Sequence, residues 1–124
     1  MSYKVAGIDV HKKVLMVVVC EVAEPESLPQ RRRFGTTTSE LRRLSQWLRE
    51  GGVEEAVMES TAQYWKPVWG ALERYWKPVC QKREGAGPRS GALHLAQAQS
   101  NRARRGRKND FADAQRLAWS WRDR

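Results

Sequence analysis

Short apolar runs in the first third of the chain are typical of buried strands. Residues 5–9 predict a first strand, and after a turn at 11–13 residues 14–22 predict a second strand that pairs with it as a hairpin. Residues 24–29 hold two prolines and predict a loop. Residues 30–36 predict a third strand at or near a sheet edge, because this segment carries three arginines. Three strands before any helix predict an antiparallel start to a sheet.

Helical spacing then alternates with strand patterns. Thr37 and Glu40 have the spacing of a capping box, leucines follow at helical intervals, and glycines at 51 and 52 end the predicted helix. Residues 53–59 predict a fourth strand. A second amphipathic helix is then predicted, with a proline tolerated in its first turn. Its apolar face is formed by Trp65, Trp69, Leu72 and Trp76.

The last third is interrupted by glycine and proline between residues 85 and 91. Before this break, residues 78–81 predict a short fifth strand. After it, residues 92–100 predict a weakly amphipathic helix and residues 110–121 a final helix, with a connector over 82–109. The order of elements favours an α/β fold, a five-stranded mixed sheet flanked by helices, in one domain spanning 1–124.

Four acidic residues stand where an ordinary fold would avoid charge. Asp9 and Glu59 follow apolar runs on predicted strands, and on the final helix Asp110 falls within the apolar face while Asp113 lies at its edge. Buried carboxylates are unfavourable unless something binds them, and a divalent cation with oxygen ligands suits such a cluster. If the first and fourth strands are neighbours, Asp9 and Glu59 emerge side by side, and the final helix can bring the other two over them.

Converging carboxylates of this kind suit two-metal phosphoryl chemistry on a nucleic-acid backbone. Each residue also has a structural alternative. Asp9 fits a turn, Glu59 could start the next helix, and Asp110 suits a helix N-terminus. The four together favour a metal site. His11 could point to the same face as Asp9 or act only as a turn residue, and Ser60 or Thr61 could cap a helix or support the metal site.

Net charge supports a nucleic-acid partner. The 124 residues carry a formal charge of +9, and residues 101–124 hold eight Lys/Arg against three Asp/Glu. Such a basic cluster commonly neutralises phosphates, although a solvated tail is the plain alternative. The candidate nucleic-acid-binding residues are Arg102, Arg104, Arg105, Arg107 and Lys108.

Several classes of protein are disfavoured by the sequence. The longest apolar run has seven residues, against about 18 for a bilayer span, so we expect a soluble, cytoplasmic protein that does not contact membranes. Cys20 and Cys80 show no metal-ligand spacing and are expected to be reduced, buried thiols. The chain has neither a glycine-rich phosphate loop nor a GxSxG nucleophile motif.

Three motifs together resemble a known family. GIDVHKK at 7–13, MESTAQYWKPVW at 58–69 and GRKNDFADAQRLA at 106–118 resemble the N-terminal DEDD domain of bacterial insertion-sequence transposases associated with a bridge RNA, and of related Piv-type invertases. The resemblance implies a RuvC-like, RNase H-like fold. It also implies binding of Mg²⁺, or Mn²⁺, by Asp9, Glu59, Asp110 and Asp113. DNA, a structured bridge RNA and a second copy in the full-length protein are the implied partners.

The chain departs from the family pattern in two places. Asn109 stands where the family more often has Thr, and no segment matches the family's C-terminal domain with its attacking serine. The leading hypothesis is therefore the N-terminal catalytic domain of a DNA transposase or recombinase. A stand-alone Holliday junction resolvase or nuclease, and a non-catalytic nucleic-acid-binding module, remain as alternatives. A sugar-kinase-like or actin-like ATPase is disfavoured because the glycine-rich phosphate turns are missing.

Overall fold

The computed structural model describes residues 3–22, 28–60, 62–96 and 118. Within them, five strands form one mixed sheet in the order β3-β2-β1-β4-β5. Strand β2 is antiparallel to both β1 and β3, whereas β4 is parallel to β1 and β5 is parallel to β4. The predicted mixed sheet, the hairpin and the edge position of the third strand are confirmed. The strands are β1 Lys4–Val10, β2 Leu15–Glu21, β3 Gln30–Phe34, β4 Val53–Ser60 and β5 Ala92–Ala96.

Three helices, α1 Thr38–Glu50, α2 Trp65–Tyr75 and α3 Lys77–Lys82, enclose the main core with the sheet. Because side chains alternate along a strand, every second residue of β1 and β4 faces these helices. Ile8, Met58 and Trp76 are fully buried in this core. Burying each such side chain stabilises the fold by roughly 1.5–3 kcal/mol before entropy is counted. We call this side of the sheet the helix face.

Helix α1 begins at the cap that the sequence predicts. The Thr37 side chain accepts a hydrogen bond from the Glu40 N–H at 3.3 Å. The Glu40 carboxylate in turn accepts from the Gly35 N–H at 2.9 Å, two residues before the cap. The Gly35 N–H and the Arg43 guanidinium both favour the ionised form and hold the pKa of Glu40 below its ordinary value. These contacts join the N-terminal end of α1 to the segment that follows β3.

The prediction of a strand over residues 78–81 is wrong, because this segment is helix α3. Pro78 stands in the first turn, where a missing N–H disrupts no helical hydrogen bond. The Cys80 N–H bonds the Trp76 carbonyl at 3.2 Å, and its buried Sγ lies 3.4 Å from the Val53 carbonyl. A short apolar run fits strand and helix equally well, and packing of Cys80 against the start of β4 decides for the helix.

The prediction of a helix over residues 92–100 is also wrong where it can be compared, since Ala92–Ala96 is strand β5. A parallel connection needs a crossover, and α2 with α3 supplies it between β4 and β5. Leu93 packs against the helix-face core, and His94 on the other face reaches Glu55. This period-two division of side chains stabilises a strand. Residues 97–100 lie outside the described part of the chain.

A second, smaller apolar cluster covers the other side of the sheet, which we call the open face. It consists of Val5, Val18, Cys20 and Ala118, and Ala118 is helical and fully buried. The rest of the predicted helix over 110–121 and residues 24–27 of the predicted loop lie outside the described residues. Cys20 and Cys80 are free and buried, as predicted. Within the described ranges, no helix is long and apolar enough to span a membrane.

Candidate metal centre

Asp9 and Glu59 lie side by side on neighbouring parallel strands. The register pairs them directly, next to the pair formed by Ile8 and Met58. Directly paired residues point to the same face of a sheet, on strands about 4.8 Å apart. Because Ile8 and Met58 belong to the helix-face core, Asp9 and Glu59 lie on the open face. The predicted adjacency of these two carboxylates is confirmed.

Both carboxylates are removed from water. Glu59 is 4% exposed and the Asp9 side chain is 14% exposed. At a separation of about 5 Å and an effective dielectric constant of about 20, two negative charges repel by on the order of 3 kcal/mol. Both side chains make further interactions within the protein. A cation bound between them would relieve the repulsion, so the pair has the charge and the ligand atoms that a hard metal ion needs.

His11 holds the side chain of Asp9. Its Nε2 lies 3.1 Å from Asp9 Oδ2, and when Asp9 is ionised the ring nitrogen donates its proton to that oxygen. The His11 backbone N–H also bonds the Val14 carbonyl at 3.0 Å, which closes the β1–β2 turn. His11 is thus a turn residue that also contacts Asp9, and a functional role for it stays a prediction.

The chain leaves β4 by a sharp turn directly after the site. Ser60 pairs with Val10 of the helix-face core, so alternation places Ser60 on the face opposite Glu59. The N-cap of α2 is Tyr64, without a side-chain hydrogen bond, and Ser60 is therefore not the predicted cap. Ala62 has φ 50°, a left-handed conformation that is unfavourable for a residue with a Cβ. Thr61 lies outside the described residues.

Glu55, which the sequence analysis missed, is a second buried glutamate on the open face of β4. It is 1% exposed. One carboxylate oxygen accepts from the Tyr3 hydroxyl, and the other lies 2.6 Å from an Arg89 nitrogen and 2.6 Å from His94 Nε2. Burial opposes ionisation of Glu55, but the hydrogen bonds from Tyr3, Arg89 and His94 outweigh it and hold its pKa below the ordinary value. The only sign of this residue in the sequence was a glutamate two residues into an apolar strand.

A cleft of about 530 Å³ opens beside this network, lined in part by Tyr3, Glu54, Arg83 and Arg89. It lies near the beginning of β4, whereas Glu59 lies near the end of the same strand. Four residues of strand separate the two glutamates, or roughly 13 Å. The cleft is therefore distinct from the acidic pair.

The other predicted site residues lie outside the described residues. These are Asp110, Asp113 and the basic cluster of Arg102, Arg104, Arg105, Arg107 and Lys108. Over the described ranges, no group of three or more His, Cys, Asp or Glu side chains is placed to hold a metal ion. The structure thus brings together Asp9, Glu59 and His11, and the ligand roles remain predictions.

Comparison with known families gives one match over nearly the whole chain. The family model of the IS110-type DEDD transposases matches residues 6–124. Among curated proteins, none matches this sequence significantly.

A solved RuvC structure shows the same fold at low sequence identity. A T. thermophilus RuvC structure in complex with a Holliday junction substrate is 17% identical with a TM-score of 0.54, and covers 94% of this chain and 90% of that one. This likeness confirms the RuvC-like fold. The Aquifex aeolicus PPX-GPPA enzyme is 16% identical with a TM-score of 0.47, and the match covers 82% of this chain. This chain spans 38% of that enzyme's length.

Proposed function

We propose that this chain, which belongs to the IS110-type DEDD transposase family, uses its carboxylates to hold divalent metal ions for cutting and joining DNA strands. The observation that carries the proposal is the direct pairing of the buried Glu59 with the partly buried Asp9 on adjacent parallel strands. Mg²⁺ is the proposed metal, and Mn²⁺ has the same preference for oxygen ligands.

The residues of this site fit a hard cation. Two adjacent carboxylates provide oxygen ligands and negative charge, and a divalent metal supplies activation of the attacking oxygen and stabilisation of the leaving one. His11 contacts one carboxylate oxygen of Asp9 and so helps to fix the orientation of that side chain. The low exposure of Glu59 keeps water from competing for its carboxylate. We propose Asp110 and Asp113 as the remaining ligands.

The proposal extends to the partners of this site. We propose that residues 102–108 bind phosphates beside it, since five cations in seven residues suit a nucleic-acid backbone. A bridge RNA and a second copy of the chain are proposed from family membership alone. Strand joining in the full enzyme would also need the serine domain that the family resemblance implies.

Thermal unfolding with Mg²⁺ or Mn²⁺ tests the metal centre. A ligand that binds only the folded state adds about 2.7 kcal/mol of stability at a hundredfold excess over its Kd. We therefore expect either metal to raise the Tm of the wild-type chain, and Asp9→Asn or Glu59→Gln to abolish the rise. If the metals leave the wild-type Tm unchanged, or if both variants respond like the wild type, the centre is wrong.

Glu55→Gln is the matched control. It removes a buried carboxylate from the same strand and face, but one already bound by Tyr3, Arg89 and His94. We expect it to lower the Tm in the absence of metal and to keep the metal-dependent rise. Loss of that rise would mean that metal stabilisation reflects general integrity of the sheet and not coordination by Asp9 and Glu59.

Incubation with four-way DNA junctions separates the proposed transposase domain from a stand-alone resolvase. Junction cleavage by this chain alone with Mg²⁺, abolished by Asp110→Ala, would favour the resolvase. Nucleic-acid binding that is indifferent to EDTA and to all four acidic substitutions, with no cleavage of any substrate, would favour the non-catalytic module.

A further inference from the structure

Positive charge without negative charge surrounds one side of the acidic pair. Residues 10–20 and 28–39 contain five Lys/Arg and no Asp or Glu. Lys12 and Lys13 form the exposed turn between β1 and β2, and residues 31–33 of edge strand β3 are exposed arginines. A stable fold does not require such a run, because exposed surface cations contribute little to stability.

The sheet register places Arg33 in line with the acidic pair. Arg33 pairs with Met16, Met16 with Asp9, and Asp9 with Glu59. Residues that pair in this way share a face, so the Arg33 side chain lies on the open face with the carboxylates. Two strand spacings separate Arg33 from Asp9, or roughly 10 Å. This distance equals about three base-pair rises along the axis of B-form DNA.

Its two neighbours in the arginine run have other contacts. Arg32 points to the helix face, where its guanidinium lies 5.2 Å from the Phe34 ring centroid and 5.8 Å from that of Trp47. These cation–π contacts give Arg32 a role in packing. Arg31 shares the open face but already interacts within the protein. Arg33 is thus the arginine of this run best placed toward the site.

The lysine turn lies at the same end of the sheet as Asp9. β3 is antiparallel to β2, and β2 is antiparallel to β1, so β3 and β1 end on the same side. The Thr36 hydroxyl donates to the Lys12 carbonyl at 3.3 Å and joins the hairpin turn to the segment after β3. Lys12, Lys13 and Arg33 therefore border the acidic pair from one side, and we call them the basic ridge.

We propose that the basic ridge binds the backbone phosphates of duplex DNA beside the phosphate that occupies the acidic site. This inference rests on the proposed function, which places a DNA phosphate against Asp9 and Glu59. Three cations at one side of that site would fix the direction in which the strand crosses the sheet. They contact backbone and not bases, so they position the duplex without selecting its sequence.

Binding of a fluorescein-labelled DNA duplex in EDTA, measured by anisotropy over a series of salt concentrations, tests the ridge. Each lost phosphate contact lowers the slope of log K against log salt by about 0.9. We expect Arg33→Gln to bind more weakly with a slope smaller by about 0.9, and the triple variant Lys12→Gln, Lys13→Gln, Arg33→Gln to lose up to about 2.7. Circular dichroism checks that each variant is folded.

Arg32→Gln is the matched control, with the same charge change at the adjacent residue on the opposite face. We expect its slope to equal that of the wild type. The ridge is refuted if Arg33→Gln keeps the wild-type slope, if Arg32→Gln lowers it equally, or if the triple variant weakens only an RNA duplex of equal length.

The metal titration of the same variants separates this inference from the proposed function. A metal-dependent rise in Tm that needs Asp9 and Glu59, together with normal DNA binding by the triple variant, refutes the ridge alone. Weak DNA binding by the triple variant in a chain that no metal stabilises supports the ridge and refutes the metal centre.

Discussion

Two buried glutamates on one strand illustrate how neighbouring groups decide what a carboxylate can do. Glu55 and Glu59 share β4 and its open face, four residues apart. Glu55 is held by a hydroxyl, a guanidinium and an imidazole, which together satisfy both of its oxygens. Glu59 also interacts within the protein, and its direct cross-strand neighbour is the second carboxylate, Asp9. We infer that Glu55 stabilises the sheet where β5 joins it, while Glu59 is placed to bind a cation.

Glu55 should make stability depend on pH under acidic conditions. Its pKa in the folded protein lies below the ordinary value of 4.5 because of its three hydrogen-bond donors, so the unfolded chain takes up the proton first as the pH falls. The contribution is complete above about pH 4.5 and is lost through the lower folded pKa. Urea unfolding should show Glu55→Gln less stable by roughly 1–3 kcal/mol at pH 7, with the gap narrowing below 4.5.

The exposed Glu73 on α2 gives the control for that titration, because Glu73→Gln removes a carboxyl of the same type without touching the network. The difference in free energy of unfolding between Glu73→Gln and the wild type should stay small from neutral to acidic pH. If the stability difference between Glu55→Gln and the wild type stays constant down to pH 3, the network contributes nothing through ionisation of Glu55.

Among the elements, α1 depends most clearly on a single local contact. Thr37→Ala removes the acceptor for the Glu40 N–H, and loss of such a cap lowers the free energy of unfolding by about 0.5–2 kcal/mol. The adjacent, exposed Thr38 lies inside the helix, so Thr38→Ala should change stability by less than about 0.5 kcal/mol. Chemical denaturation of both variants checks the difference, and equal effects would mean that Thr37 does not act as a cap.

Elements with strong local signals could be predicted from the sequence, and those that depend on distant partners could not. The Thr37 cap and strand β1, which carries Asp9, are encoded within a few residues. Residues 77–82 and 92–96 are short segments, so their apolar patterns fit either type of element. Packing of Cys80 against β4 and pairing of β5 with β4 decide them, and neither contact is visible in a local window.

At the scale of the whole molecule, the main core and the proposed metal centre lie on opposite faces of the sheet. The helix face carries the main core, while the open face carries Asp9, Glu59 and Arg33 of the basic ridge. Asp9 and Glu59 could be predicted because charge on an apolar strand needs an explanation. The position of Arg33 relative to Asp9 could not be predicted, because it depends on how three strands pair with one another. Residues whose position in a site depends on strand register can be identified only when the fold is known.

The helical segment that contains Ala118 is expected to link packing on the open face to metal binding. Ala118 is fully buried with Val5, Val18 and Cys20, and Asp110 and Asp113 precede it in the sequence. Ala118→Leu adds volume where the apolar cluster is already filled. This overpacking lowers the free energy of unfolding by about 1–3 kcal/mol and displaces the segment from the sheet. If the two aspartates are ligands, this variant should lose most of the metal-dependent rise in Tm.

Leu44→Ala provides the comparison, because it creates a cavity on the helix face and lowers stability by roughly 2–5 kcal/mol without touching the open face. We expect this variant to have a lower Tm but a metal-dependent rise equal to that of the wild type. Were Ala118→Leu to keep the full rise, the ligands would not depend on the position of the last segment. Asp9 and Glu59 would then hold the metal without Asp110 and Asp113.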